Sequence, residues 1–433
     1  MKAFNPYVSH LEELLLASVC LPVNAIRQKQ VTAALDGQPS AELRKRVSLD
    51  RLRAAGAFFT GSRMAQRAVA SAGLPRLNAG ARVFDPACGV GDLLVAFVNH
   101  LSCASDLEST LSHWGNRLMA LDVQPEFVRA TKLRLALAGA LRHPLVRPFQ
   151  LRDFDLLFPS VAVGSSLLEE QRFKEASHIL VNPPFTMVDA PAECCWGEGK
   201  VNSAALFMDA SAANAEPGTQ VMAILPDVLR SGSRYEKWRK SFEQCVAIKK
   251  IEIMGRFDRH TDVDVFVLVG QVRKKPNGKR GVRWTPDKKT GGKRISGKFE
   301  VSVGAVVSYR DPHSGPWYPF VQARDLPSWQ AVTQIAHHRR FEGKTVSPPF
   351  VVVRRTSRPE DRNRAVATLV RGKRRIAVEN HLLVLRPKDK TIRTCEQLLK
   401  LLREQRTSKL LNKRIRCRHL TVSALGDLPW RDE

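Results

Sequence analysis

Val83-Phe84-Asp85-Pro86-Ala87-Cys88-Gly89-Val90-Gly91-Asp92-Leu93-Leu94 decides the fold. An apolar run ends in an acid, passes through a glycine turn and enters a stretch of helical composition. Strand, turn and helix in that order open an α/β unit. Glycine there lets the backbone turn tightly and approach a ligand closely. The spacing is G-x-G without the third glycine of a dinucleotide fingerprint, which disfavours a nicotinamide cofactor. Taken alone, the pair is equally well a turn.

Apolar runs recur along the flanking sequence at Arg82–Phe84, Arg117–Leu121, Pro148–Leu151, His178–Val181, Gln220–Leu225, Lys249–Met254 and Val263–Val269. Helical segments separate most of them, so the pattern predicts an α/β fold with a seven-stranded, mostly parallel sheet and helices on both faces. Ala204–Ala213 predicts a helix ending before Pro217-Gly218. Asp122, Asp153 and Asn182 follow Asp85 at steps of about one strand–helix unit, which places all four at the carboxyl edge of a parallel sheet. An acid ending the second strand suits a ribose diol. Asp153 suits an adenine amino group, with Phe154 packed on the adenine face. Either Asp alone is as readily a surface turn or a helix cap.

Asn182-Pro183-Pro184-Phe185 follows the apolar run Ile179-Leu180-Val181. Two prolines fix the backbone and remove two donors. The acceptors that remain, the Asn182 side-chain oxygen and the Pro183 carbonyl, suit a planar amino group with its two N–H donors. Phe185 offers a face on which a base can stack.

The chain has 433 residues, 69 Lys and Arg, 42 Asp and Glu, and a formal net charge of +27. At roughly 100–200 residues per domain this length predicts two or three domains. Residues 1–270 carry a net +3 and residues 271–433 a net +24. The second part therefore calls for an acidic partner, of which nucleic acid is the commonest kind. The predicted organisation is a helical segment over 1–55, a catalytic domain over 56–272, a basic linker or loop over 273–298 and a smaller basic α+β domain over 299–433. Strand-like runs at Phe350–Val353, Ile376–Val378 and Leu382–Leu385 and a helix around Cys395–Arg406 define the last of these.

The apolar stretch Leu14–Val23 is about half of a membrane span and is preceded by Glu12 and Glu13, so no membrane partner and a cytoplasmic location are expected. None of the eight cysteines forms a C-x-x-C pair, and Cys417 with His419 has no second pair, so no metal site is expected.

The motifs together resemble the adenine-N6 DNA methyltransferases that use S-adenosyl-L-methionine. Gly56-Ala57-Phe58-Phe59-Thr60 is similar to that family's G-x-F-[FY]-T-P, Asp85 to Gly91 to its D-P-A-C-G-x-G, and Asn182 to Phe185 to its N-P-P-[FY]. The resemblance runs from about Gly56 to Val272 and departs from the pattern at Gly61, where the family usually has proline. It implies a Rossmann-like methyltransferase sheet. It implies that Thr60 contacts the methionine carboxylate of the cofactor. Asp85, Pro86, Gly89 and Gly91 would line its methionine and ribose, Asp122 would bind the ribose hydroxyls, and Asp153 with Phe154 would bind the adenine. Asn182 and Pro183, stiffened by Pro184, would hold the target amino group, with Phe185 on the base. Residues 299–433 resemble the family's target-recognition domains less specifically, through Val303-Gly304-Ala305-Val306 and Arg418-His419-Leu420-Thr421-Val422. Between them lie Arg354-Arg355-Thr356, Arg371 to Arg375 and Arg414 to Arg418. Most of those charges would meet phosphates, and a few, with Asn380 or His381, would read base edges.

The resemblance therefore implies site-specific methylation of double-stranded DNA in a restriction–modification or defence system. Cleavage would belong to a separate restriction endonuclease, since no metal-nuclease pattern is present. Three other readings use the same residues: an orphan regulatory methylase, a methyltransferase acting on RNA or a protein glutamine amide, and an inactive DNA-binding protein on this fold.

Overall fold

The computed structural model describes residues 2–20, 24–73, 80–143, 154–166, 169–258, 260–275, 283–285 and 293–431. It divides into two compact units, Met1–Leu229 with Arg234–Val282, and Arg230–Ser233 with Arg283–Glu433.

The first unit opens with α1 (Asn5–Cys20), α2 (Ala25–Leu35), α3 (Gln38–Arg46), α4 (Leu49–Ala55) and α5 (Ser62–Ser71). Strands and helices then alternate: β1 (Val83–Asp85), α6 (Asp92–Val98), α7 (Leu107–Gly115), β2 (Leu118–Asp122), α8 (Pro125–Arg142), α9 (Phe154–Leu157), β3 (Val161–Val163), α10 (Glu170–Glu175) and β4 (His178–Val181). A ribbon of β5 (Met187–Asp189) and β6 (Lys200–Asn202) precedes α11 (Ser203–Asn214). The chain continues through β7 (Gln220–Pro226), α12 (Asp227–Ser231), whose last two residues count with the second unit, α13 (Glu236–Cys245), β8 (Val246–Arg256) and β9 (Asp264–Val272).

Seven strands form one sheet in the order β3-β2-β1-β4-β7-β9-β8. The first five run parallel, and β9 pairs antiparallel with both β7 and β8. The central strands are continuous apolar runs because helices cover both faces, and β1, β7 and β9 are accordingly almost wholly buried. Pro125 at the first turn of α8 supplies a preset φ where no N–H is needed. The leading helices belong to the same core: Phe4 packs edge-on to Phe127 of α8 at 5.4 Å, and Leu11 and Leu15 of α1 are fully buried.

Six of the seven predicted strands are found. Pro148–Leu151 lies outside the described residues, and the third strand is Val161–Val163. Its three residues sit between Pro159-Ser160 and Gly164-Ser165, too short a run to stand out from turn sequence. Ser203–Asn214 replaces the predicted Ala204–Ala213, because Asn202 caps it by accepting from the Ala204 N–H at 3.1 Å.

The second unit comprises α14 (Ile295–Lys298), β10 (Phe299–Val303), β11 (Trp317–Val321), β12 (Ala331–Val332), β13 (His338–Arg340), β14 (Phe350–Arg354), β15 (Ala367–Val370), β16 (Ala377–Val378) and β17 (Leu382–Pro387). It closes with α15 (Ile392–Arg403), α16 (Gln405–Arg414) and α17 (Val422–Gly426). A five-stranded sheet, β10-β17-β14-β15-β12, separates two cores. Alternate residues face opposite ways. Val351, Val353, Leu383 and Leu385 pack with Leu398 and Leu402 of α15, whereas Val352, Val370, Leu382 and Val384 pack with Val321 and Val378. Most of the basic segment 273–298 lies outside the described residues. Among the described residues no helix is long and apolar enough to cross a membrane.

Candidate active site

Strands β1 and β4 are parallel neighbours, with Val83 opposite His178 and Phe84 opposite Ile179. From β1 the chain builds outward to β2 and β3 on one side, and from β4 to β7 on the other. Such a reversal leaves a crevice at the carboxyl ends of the strands, where ligands of open α/β sheets bind. The glycine turn after β1 and the Asn182 loop after β4 both open there.

The turn is held by its own backbone. Cys88 N–H donates to the Leu121 carbonyl at 2.9 Å, and Gly91 N–H to the Cys88 carbonyl at 2.8 Å. Gly91 has φ +78°, and a Cβ on it would lie 2.7 Å from Thr131 Cγ2. Thr131 Oγ1 meanwhile donates to the Gly89 carbonyl at 2.9 Å. Asp122, at the end of β2, accepts from Gly89 N–H at 3.0 Å and Gln124 N–H at 2.9 Å. Burial raises its pKa, and those two N–H groups oppose the rise. Asp85 is 1% exposed beneath the turn. Burial, reinforced by the charges of Asp122 and Asp92, pushes its carboxyl up to about 8, against the Ala87 N–H that favours the anion.

A cleft of about 700 Å³, counting the solvent at its mouth, opens beside the turn. Pro86, Gly89, Asp122 and Asn182 line it, with the rings of Phe58, Phe59 and Phe127. Phe59 and Phe127 meet edge to face at 5.0 Å. Ser166 also lines the cleft, and its hydroxyl is buried with no hydrogen-bond partner among the described residues. Aromatic walls with a carboxylate and an orphaned hydroxyl fit a ligand that carries hydroxyls and a planar base.

Asn182 is fixed from one end. Its side-chain Nδ2 donates to Thr60 Oγ1 at 2.9 Å, while Oδ1 is buried and has no partner among the described residues. The loop that follows is pinned from α11: Ser203 Oγ donates to the Pro184 carbonyl at 2.6 Å, and Asn202 Nδ2 to the Phe185 carbonyl at 3.2 Å. Phe185 is half-buried and meets Phe257 edge-on at 5.8 Å. Gly56, at φ +62°, permits close approach on the other side, since a Cβ there would fall 2.6 Å from Pro184 Cβ.

The structure thus gathers Pro86, Gly89, Asp122, Asn182 and Pro184 at one crevice, with Thr60 bonded to Asn182 and with Asp85 and Gly91 in the turn. Asp153 lies outside the described residues. Phe154 is not on the cleft wall. It opens α9 fully buried, 5.9 Å from Phe158 and beneath the Arg129 guanidinium at 5.1 Å. An aromatic ring beside an acid reads as a stacking platform in sequence, but here the core takes it. The wall near β3 is instead Gly164, Ser165 and Ser166. Sequence reasoning also missed Asn202, Ser203, Asp92 and Arg134. Only Asn202 left a sequence signal, as a cap type before a helical run.

In the second unit several predicted basic residues serve the fold. Arg354 Nη2 donates to the Leu326 carbonyl at 2.9 Å, Arg371 pairs with Glu396 at 2.5 Å, and Arg414 pairs with Asp427 at 3.6 Å. His381 Nδ1 lies 3.3 Å from Glu379. Lys373 and Arg374 are exposed. So is Trp317, at 67%, directly opposite the exposed Arg340 across the β11–β13 ladder. An aromatic beside a cation on an open strand face is a surface suited to nucleic acid.

Solved structures that align with this chain include several restriction–modification proteins. The type IIL restriction-modification enzyme MmeI in complex with DNA aligns over 93% of this chain and 67% of its own, at 10% identity and a TM-score of 0.47. The type IIG restriction endonuclease BpuSI aligns over 92% of this chain at 13% identity and a TM-score of 0.43, and the chain spans 61% of that protein. The M protein of the type I restriction enzyme EcoKI aligns over 64% of this chain and 65% of its own, at 14% identity and a TM-score of 0.38. No protein-family profile and no curated protein sequence matches the chain. At these scores the reading of function rests on the chain's own residues.

Proposed function

We propose that the chain methylates the exocyclic N6 of adenine at specific sites in double-stranded DNA, with S-adenosyl-L-methionine as methyl donor. The observation that carries this is Asn182: its amide is held from the nitrogen end by Thr60, so Oδ1, without a partner among the described residues, is the end left to meet a donor. A buried acceptor without a partner is costly, and a planar amino group supplies what it lacks.

The donor, when bound, supplies an electrophilic sulfonium methyl group. Asp122 and the Gly89 turn hold its ribose side, and the Phe58, Phe59 and Phe127 rings exclude water from it. The N6 lone pair is delocalised into the purine ring. Asn182 Oδ1, with the Pro183 carbonyl, draws the amino hydrogens out of the ring plane and localises that pair. Phe185 holds the base face. Catalysis is orientation plus electrostatic stabilisation of the charge that develops on the nitrogen, and the surplus N6 proton leaves to water. Cys88 has no part as a nucleophile, because burial holds its thiol well above the usual range. The amino group is inaccessible inside a stacked duplex, so the adenine is flipped out. The net +24 of residues 271–433 meets the phosphates. In this role the chain is the modification arm of a restriction–modification or defence system, beside a separate endonuclease.

The test is expression in cells that lack adenine methylation, followed by sequencing of their DNA for modified bases. One sequence motif carrying N6-methyladenine is expected. Unmodified DNA, with methyl transfer to RNA or to a glutamine peptide in vitro, would overturn the reading.

A further inference from the structure

The hydroxyl that holds Asn182 belongs to a segment with an anchor of its own. Gly61, the next residue after Thr60, donates its backbone N–H to Asp92 Oδ2 at 2.7 Å. The other oxygen, Oδ1, faces the Arg134 guanidinium at 2.8 Å as a close ion pair. That guanidinium is completely enclosed. It also donates to the Ala34 carbonyl at 2.8 Å, the Leu35 carbonyl at 3.1 Å and the carbonyl of Val90, the middle residue of the glycine turn.

A buried ion pair is weak evidence for stability, since desolvation offsets most of its attraction. Its geometry points to another role. Arg134 on α8 grips the turn through Val90 and the start of α6 through Asp92. Asp92 in turn grips the residue after Thr60. Gly61 has φ +73°, and nothing lies within 4 Å of the Cβ that it lacks. Space therefore does not demand glycine there, whereas the dihedral favours it and the N–H excludes proline. Proline, the residue that the family resemblance puts at this position, has no N–H and cannot reach positive φ.

We infer that Arg134, Asp92 and Gly61 form a positioning relay, which ties the glycine turn of the cleft to Thr60 and through Thr60 sets the direction of Asn182 Oδ1. The inference rests on the reading of Asn182 as the acceptor for the target amino group. None of the three residues touches the reacting atoms. Their effect is on how often Oδ1 points at the amino group, which is a property of the transfer step and not of cofactor affinity.

The experiment compares wild type, Gly61→Pro, Gly61→Ala, Thr60→Val and Thr60→Ser as full chains. It reads single-turnover methyl transfer to DNA at saturating cofactor, the cofactor Kd and the melting temperature. Gly61→Pro and Thr60→Val are expected to transfer about 100-fold more slowly, the loss that a misplacement of about 1 Å brings. For Gly61→Pro, which alters no residue lining the cleft, the cofactor Kd stays within about threefold, as for an interaction made only in the transition state. Thr60→Val is read against Thr60→Ser, because the family resemblance also gives Thr60 the methionine carboxylate of the cofactor. Thr60→Ser restores the rate, and Gly61→Ala, which keeps the N–H, loses less than Gly61→Pro. Gly61→Pro transferring at the wild-type rate would overturn the relay. So would a loss in Thr60→Val matched by an equal loss of cofactor affinity, which remains decisive if Gly61→Pro does not fold. No transfer by the wild type removes the methyltransferase reading itself, and transfer by the wild type with equal rates in the variants removes only the relay.

Discussion

Thr60 Oγ1 accepts the Asn182 side-chain N–H at 2.9 Å across 122 residues of sequence, and this bond leaves Oδ1 as the end of the amide without a partner among the described residues. Asn182→Ala removes the acceptor without disturbing the strand that carries it. Methyl incorporation into DNA should fall by roughly 100- to 1,000-fold, the range seen on deleting one preorganised group at a reacting centre. The melting temperature should stay near that of the wild type.

Gly91→Ala meets two obstacles, a φ of +78° and Thr131 Cγ2 at 2.7 Å from the new methyl. The dihedral alone costs on the order of 1–3 kcal/mol. Chemical denaturation should show that loss or more, with weaker cofactor binding. Adding Thr131→Ser removes Cγ2 but keeps the hydroxyl that serves the Gly89 carbonyl, so the double variant should recover part of the stability and not all of it.

Arg134→Met leaves Asp92 buried without its partner. Removing one member of such a pair costs about 3–5 kcal/mol. Denaturant midpoints should fall accordingly. The double variant Arg134→Met/Asp92→Leu should be more stable than Arg134→Met, because no lone charge then remains inside.

Asp85 gives a pH dependence of definite sign. Its pKa rises from the ordinary 3.8 to about 8 in the folded chain, chiefly through burial. Between those values the folded state keeps a proton that the unfolded chain has released. Its contribution to stability is therefore fully present below about pH 4, is lost as pH rises to about 8, and is flat above. Melting curves across this window should show the decline, and Asp85→Asn should reduce it.

Binding to duplex DNA should weaken steeply with salt. If some six phosphates are neutralised, affinity falls by about 1,000-fold between 50 and 200 mM salt. Trp317→Ala should lower affinity by about 1–3 kcal/mol if its exposed ring stacks on a base. Arg340→Ala should instead reduce the salt slope. Fluorescence anisotropy over a salt series separates the two.

The strand–turn–helix unit and the Asn182 loop were legible because glycine and proline write backbone geometry directly into sequence. Neighbouring β-strands were legible as apolar runs for the same local reason. Val161–Val163 was not, because three residues between turn formers carry no period. Phe154 misled because an aromatic beside an acid has the same sequence signature whether it lines a ligand or fills a core. Arg134 was invisible for a different reason: its carbonyl partners lie on other elements, and only the fold brings them within reach. Charge was legible in total but not in use, since Arg354, Arg371 and Arg414 are occupied within their own unit.

The pairing of β1 with β4, Val83 to His178 and Phe84 to Ile179, has a metrological consequence. The glycine turn and the Asn182 loop are carried by segments far apart in sequence, yet the gap between them is set by one hydrogen-bonded ladder. A slip by one residue would shift the acceptor by about 3.3 Å and turn its side chains to the opposite face. The ladder works as a ruler graduated in single residues. Loops at the mouth of the crevice can lengthen or move without changing the distance between the glycine turn and Asn182.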